Sequence, residues 1–288
     1  MGWPPLRDAD RAIDAPPGRS TIVGMTVLER LSQSFVVRLV LTLIVYGFYA
    51  CVLGASLAPS TALVIWACLR FLSPAVLSGA VPALGLLVPF CLFLGAAVFV
   101  FFTFGLLLMG TVIRLLSLGV KPGRHDAASL PVLLWMVLNG VFTLAWRIIL
   151  PLVPMTPVSM MFHRLSGCRI GKNVWINTHH LIDSYMISIG DNTLIGGEAV
   201  LSPHVYEGGK LLIQRITIGK NCLIGGHSYI SPGVTVGDGS VIGMRAYVRK
   251  GKQIPPGTRI TSVAGLPFER ALDLERGTFT RVRSALGA

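Results

Sequence analysis

Four of the histidines in the second half of the chain, His179, His180, His204 and His227, are its candidate proton-transfer groups. A neutral imidazole can take a proton from a hydroxyl or an amine near pH 7. His179 and His180 precede Asp183 closely and could join it in a cleft, although exposed polar residues without a role are the plainer reading. His227 could line the same cleft or merely pack. Arg245, Arg249, Lys250 and Lys252 cluster near Pro255-Pro256. Such a cluster suits phosphate groups or a basic edge facing anionic lipid. Five cysteines form no C-x-x-C, and three lie in apolar stretches. That is neither a disulfide framework nor a zinc site, and it places the catalytic end in a reducing compartment.

The elements that must position these groups follow from a period of six. Ile218, Ile224, Ile230, Val236, Ile242, Val248, Ile254 and Ile260 are spaced without a slip, and Ile189, Ile195, Leu201 and Ile170, Ile176, Ile182 keep the same spacing upstream. Neither an α-helix nor a sustained two-residue strand alternation has that period; it is a hexapeptide solenoid. Three short parallel strands per coil form a triangular prism with the aliphatic residues stacked inside. Glycine follows many of them, at Gly171, Gly190, Gly196, Gly219, Gly225, Gly237 and Gly243, where a corner admits no bulk. Small residues recur two positions before the aliphatics: Thr193, Ala199, Cys222, Ser228, Ser240 and Ala246. The repeat breaks between Leu201 and Ile218, where Pro203 to Lys210 form a loop leaving the prism and carrying His204 and Glu207. The histidines lack a paired motif in adjacent coils and an obvious supporting acid, so no metal is expected.

The first half differs in kind. Overall, 52% of the 288 residues are hydrophobic and 13% charged, against about a quarter charged in ordinary soluble domains. Leu39 to Ala58 is a charge-free run of spanning length, and Phe90 to Ile113 gives a second, after a stretch broken by Pro74, Pro82 and Pro89. Arg7, Arg11, Arg19 and Arg30 precede the pair, Arg114, Lys121 and Arg124 follow it, and only Arg70 lies between. Both outer flanks are therefore expected on the cytoplasmic side. A third apolar stretch, Leu130 to Met161, carries Asn139, Thr143 and Arg147 as one helical stripe and is expected to lie in the membrane interface. The domain plan is a mobile arm over 1–34, a two-helix membrane domain over 35–125, an interfacial helix and linker over 126–162, the β-helix over 163–268 and a tail over 269–288. The net charge of +12 suits an anionic membrane or a phosphorylated cofactor. No aromatic-rich basic groove supports nucleic-acid binding.

The run from Ile216 to Arg270, with IGDGSVIG-type hexads and Ile254-Pro255-Pro256, resembles the left-handed β-helix, or hexapeptide-repeat, acyltransferases. Phe162 to Gly171 together with His204-Val205-Tyr206-Glu207 is also similar to the membrane-bound C-terminal region of ε-poly-lysine synthetases, although no adenylation or carrier domain is present. The fold class implied is a membrane α-helical hairpin plus an all-β left-handed parallel β-helix. The resemblance implies His204 as general base, with Glu207 orienting the imidazole or holding an acceptor ammonium. It implies Arg245, Arg249, Lys250 and Lys252 as the site for coenzyme A or a phosphopantetheine arm; Met244-Arg245 departs from the small pair that usually lines the arm's path. It further implies a homotrimer with clefts between prisms. The expected protein is a multi-pass inner-membrane acyltransferase with a cytosolic prism, acting on an amine or hydroxyl acceptor. Alternatives are a free-standing condensation unit served by an adenylation–carrier protein, and a non-catalytic membrane scaffold.

Overall fold

The structure, a computed structural model, describes residues 35–72, 79, 83–127 and 129–260. The N-terminal arm and the C-terminal tail expected from the sequence lie outside the described residues. Among the described residues, Phe35 to Leu43 belong to one unit and those from Ile44 onward to another.

Four helices and sixteen strands are described. Helix α1 spans Phe35–Phe71, α2 spans Ala83–Ser117, α3 spans Leu130–Ile148 and the short α4 spans Pro157–Leu165. Strand β1 is Gly123–Asp126; β2 to β6 lie between 169 and 201; β7 is His204–Glu207, β8 is Lys210–Ile213, and β9 to β16 follow between 216 and 260.

Pro59 and Pro89 sit inside α1 and α2, so neither ends a helix, and the apolar segments run longer than the charge-free windows suggested. Leu39–Phe71 and Gly85–Ser117 are each 33 residues long and apolar enough to cross a membrane, as is Leu130–Leu152 at 23 residues. At 1.5 Å per residue the longer two reach roughly 50 Å, well beyond a hydrocarbon core of roughly 30 Å, so in a bilayer they tilt or protrude. Ile44, Leu69, Leu92 and Phe99 are all more than half exposed, leaving large apolar faces on α1 and α2. The polar stripe of α3 is divided, with Asn139 and Thr143 partly buried and Arg147 exposed. Asn139 and Thr143 line a small cavity against His180 and Ile182, and the Arg147 guanidinium lies 4.7 Å over the Trp146 ring.

The prism has three faces in the expected register. On one, Ile170, Ile189, Ile218, Val236 and Ile254 stack on successive parallel strands. On the second the column is Ile176, Ile195, Ile224, Ile242 and Ile260. The third holds Leu201, Ile230 and Val248. The small residues two places earlier also face inward: Thr193, Ala199, Ser228 and Ser240 are fully buried. Gly190 shows why a corner takes no side chain, since a Cβ there would lie 2.7 Å from the Gly219 backbone of the next coil.

Two departures from the periodic reading matter for the site. Leu181, not Ile182, takes the inward position on the third face, where it bridges to Leu201. Ile182 turns outward and packs against a second core, built from helix residues such as Leu106, Leu138, Ile149 and Phe162. The chain slips by one residue here, turns through Asp183 in a left-handed conformation (φ 48°) and makes one 3-10 turn, Ser184–Met186. The excursion after Leu201 is likewise no irregular loop. β7 and β8 form a hairpin, and β1 from the segment between α2 and α3 pairs antiparallel with β8 along its length. Leu211 and Ile213 of β8 are fully buried in the helix-side core.

Candidate active site

His204 opens β7, where the register sets it opposite Ile213. Its Nδ1 lies 2.6 Å from Oδ2 of Asp183, a short contact of the kind made with an ionised partner. With the carboxylate accepting, Nδ1 carries the hydrogen and Nε2 keeps its lone pair. The imidazole is 20% exposed and the carboxylate 2%, so the ring is open to solvent and the acid behind it is not.

Two further donors hold that acid. The Trp135 indole N–H, on α3, donates to Oδ2 of Asp183 at 3.3 Å, and the Tyr185 hydroxyl donates to Oδ1 at 3.4 Å. The Trp135 and His204 rings meet edge to face with centroids 4.7 Å apart. Burial, and then the Asp183 carboxylate beside it, push the Tyr185 phenol well above its ordinary range, so it stays a donor at any working pH. The left-handed turn at Asp183 aims the carboxylate out of the prism toward these groups.

Glu207 is placed differently from the reading that it orients His204. Three residues apart on one strand, the two side chains leave opposite faces. The Glu207 carboxylate is bound by Lys250 at 2.6 and 2.7 Å, with Arg124 of β1 at 3.6 Å. The acid that touches His204 is Asp183, which the sequence had grouped with His179 and His180. Those two histidines instead meet Glu198 from the next coil: His180 Nε2 is 3.1 Å and His179 Nδ1 3.9 Å from its carboxylate. One nitrogen from each ring and one carboxylate oxygen all lie within 4.8 Å of one another. The supporting acid not evident in the sequence is therefore present, delivered by coil stacking. Burial, followed by the neighbouring His180, holds His179 below the usual histidine range.

His227 lies exposed at a prism corner, in a left-handed turn shared by Glu198 and Arg245 in the neighbouring coils. It belongs to the corner ladder, with its N–H donating to Gly197 at 2.9 Å. The four basic residues are divided. Arg245 stands on that corner, whereas Arg249 and Lys250 line a larger pocket of about 310 Å³ with Glu207, Tyr229 and Tyr247. The two tyrosines stack with centroids 5.7 Å apart. Lys252 is exposed on the turn that follows. Trp135, Tyr185 and Glu198 escaped sequence reasoning. In the sequence Trp135 is one aromatic in an apolar stretch, and the other two carry no local motif.

Known proteins bear on this arrangement. A family model for the hexapeptide repeat of succinyl-transferase matches residues 186–203 and 215–250. Galactoside O-acetyltransferase from Escherichia coli (strain K12) is 39% identical over 110 residues, a match covering 35% of this chain and 52% of that protein. The chain thus spans about half the length of that curated relative. Among solved structures, a hexapeptide-repeat acetyltransferase from Vibrio cholerae complexed with acetyl coenzyme A is 20% identical, covering 53% of this chain and 96% of the other at a TM-score of 0.40. A galactoside acetyltransferase in complex with coenzyme A is 24% identical, covering 49% and 82% at a TM-score of 0.36. The coils over 186–203 and 215–250 are thus similar to a hexapeptide repeat, and about a third of the chain is similar to part of a galactoside O-acetyltransferase.

Proposed function

We propose that the protein is a membrane-anchored acyltransferase in which His204 is the general base and Asp183 the acid that orients it. The observation that carries this reading is the 2.6 Å hydrogen bond between His204 Nδ1 and a buried carboxylate, which fixes the tautomer that leaves Nε2 basic. An acceptor hydroxyl or amine gives its proton to Nε2 as its oxygen or nitrogen attacks the thioester carbonyl. The new C–O or C–N bond forms, the C–S bond breaks, and the imidazolium returns the proton to the departing thiolate. Asp183 stabilises the imidazolium between those two events. Trp135 and Tyr185 are positioning residues that hold Asp183.

The donor is a coenzyme A thioester, a reading supported by the 39% identity to an acetyltransferase. The pocket bearing Arg249 and Lys250 supplies cations for its phosphates, although Lys250 already pairs with Glu207. The prism acts as a trimer, and α1 and α2 hold it at the bilayer, a reading supported by their exposed apolar faces. Glu207 structures the hairpin through Lys250 and Arg124.

Calorimetric titration of the detergent-purified chain with coenzyme A, acetyl coenzyme A and an aminoacyl-phosphopantetheine mimic tests the donor. Binding of the coenzyme A compounds is expected; binding of the arm mimic alone would move the activity to condensation with a carrier protein, and binding of neither would leave a scaffold. With an accepted substrate, His204→Ala is expected to lower kcat by roughly 10²–10⁴-fold, the usual contribution of a general base, with oligomer size unchanged.

A further inference from the structure

We infer that His179, His180 and Glu198 form a binding site for a first-row divalent transition-metal ion of the zinc class, distinct from the His204–Asp183 pair. The two histidines sit on the segment that follows β3, and Glu198 on the left-handed corner of the coil stacked against it. The backbone ties these coils together, the Leu201 N–H donating to the His180 carbonyl at 3.1 Å. Local sequence did not need to encode a metal motif, because the coil pitch brings the third ligand in.

The geometry is that of ligands converging on one point. Three donor atoms lie within 4.8 Å of one another. Ligands of an ion held at 2.0–2.2 Å stand roughly 3–4 Å apart, so a small closure suffices. The imidazole centroids are 4.2 Å apart and tilted by 37°, with both rings turned toward the same carboxylate. Two imidazoles and a carboxylate on one side of an ion leave its remaining positions open, a donor set that favours zinc, iron(II), cobalt or nickel over magnesium and calcium.

The surroundings favour binding. Trp146 covers both imidazoles, at 5.9 and 5.1 Å between centroids, and so screens one side of the site from water. The histidine side chains are 19% and 20% exposed and Glu198 49%, which leaves an entry path. His180 also lines a cavity of about 80 Å³ with Asn139 and Thr143 of α3.

The test uses the full chain in detergent, purified through a non-histidine affinity tag, stripped with chelator and titrated with Co²⁺ and then Zn²⁺ alone. One equivalent of Co²⁺ is expected to bind with visible ligand-field absorption, to be displaced by Zn²⁺ and to raise the thermal midpoint. His180→Gln and Glu198→Gln should each weaken binding at least about tenfold, while His204→Ala and His227→Ala leave it unchanged. Circular dichroism of the metal-free variants separates lost ligation from lost fold. Absence of one-equivalent saturation in the parent chain, or equal binding in folded His180→Gln and Glu198→Gln, overturns the site. The readout is metal affinity, so it stands or falls independently of acyl transfer.

Discussion

His204 and Asp183 are 21 residues apart in sequence, and each reaches the other because of a local irregularity in an otherwise periodic chain. Asp183 lies at the one-residue slip that puts Leu181 inside the prism, and His204 opens the hairpin that interrupts the hexads. In the proposed reaction, Asp183→Asn preserves shape but offers an amide in place of the acceptor that fixes the tautomer. It should lower kcat by roughly 10³–10⁴-fold with little change in KM. Trp135→Phe keeps an aromatic ring against His204 and removes one donor to Asp183; about a tenfold fall in kcat at unchanged KM is expected, and a rise in KM alone would contradict the positioning role. A third residue-scale prediction concerns stability. His163 on α4 is buried, with Nδ1 3.1 Å from the Ser184 hydroxyl and Nε2 without a partner. Desolvation, then the nearby His179, push its pKa down from 6.5 to about 3. The unfolded chain therefore takes up that proton first, and stability should fall as pH drops from about 6.5 toward 3, at a limiting slope of about 1.4 kcal/mol per pH unit. Thermal midpoints between pH 7 and 5 should decline less steeply in His163→Gln than in the parent.

At the scale of elements, the hairpin that carries His204 is braced from behind. β8 lies between β7 and β1, and its Leu211 and Ile213 are fully buried against residues of the helices. Leu211→Ala opens a cavity at that junction and should cost about 2–5 kcal/mol of stability, measured by chemical denaturation, and should lower activity because the strand it loosens is paired with the one bearing His204. The coils were legible in the sequence because each hexad repeats the same local decision: an aliphatic residue inside, a small residue two places before it, and a glycine where the next coil leaves no room. The hairpin carries a local signal, Gly208-Gly209 with positive φ between two short strands, which a count of hexads passes over, whereas the pairing of β1 with β8 across a long gap leaves no trace. The same limit hid Asp183. Its role depends on the slip at Leu181, and a strict count of six puts Ile182 in the core and the turn in the wrong place. Glu198 was missed for the converse reason, as contacts between coils depend on pitch rather than on neighbouring residues.

At the scale of the whole molecule, two architectures with opposite arrangements of apolar residues meet in one chain. The prism keeps its apolar residues inside, as with Ile195, Ile224 and Ile242, whereas α1 and α2 display theirs. If the long helices are embedded as proposed, the protein should remain in the membrane fraction through alkaline carbonate extraction; release into the supernatant would limit it to surface attachment. The sequence marked the apolar segments by composition. It gave less warning that α3 also serves the prism, because the indole of Trp135 and the stripe of Asn139 and Thr143 resemble an interfacial helix until their partners are known.

The position of β1 bears on the order in which the molecule is made. Gly123 to Asp126 and the whole of α3 leave the ribosome before any prism coil, yet the strand that β1 pairs with, Lys210–Ile213, is synthesised only after the first coils. The nascent chain must therefore hold an unpaired strand and an unmatched Trp135 until Asp183 and then His204 arrive. The pairing of His204 with Asp183 is complete only when helices and coils have both been made and joined, so in the proposed reaction a chain whose helices fail to assemble lacks its placed base.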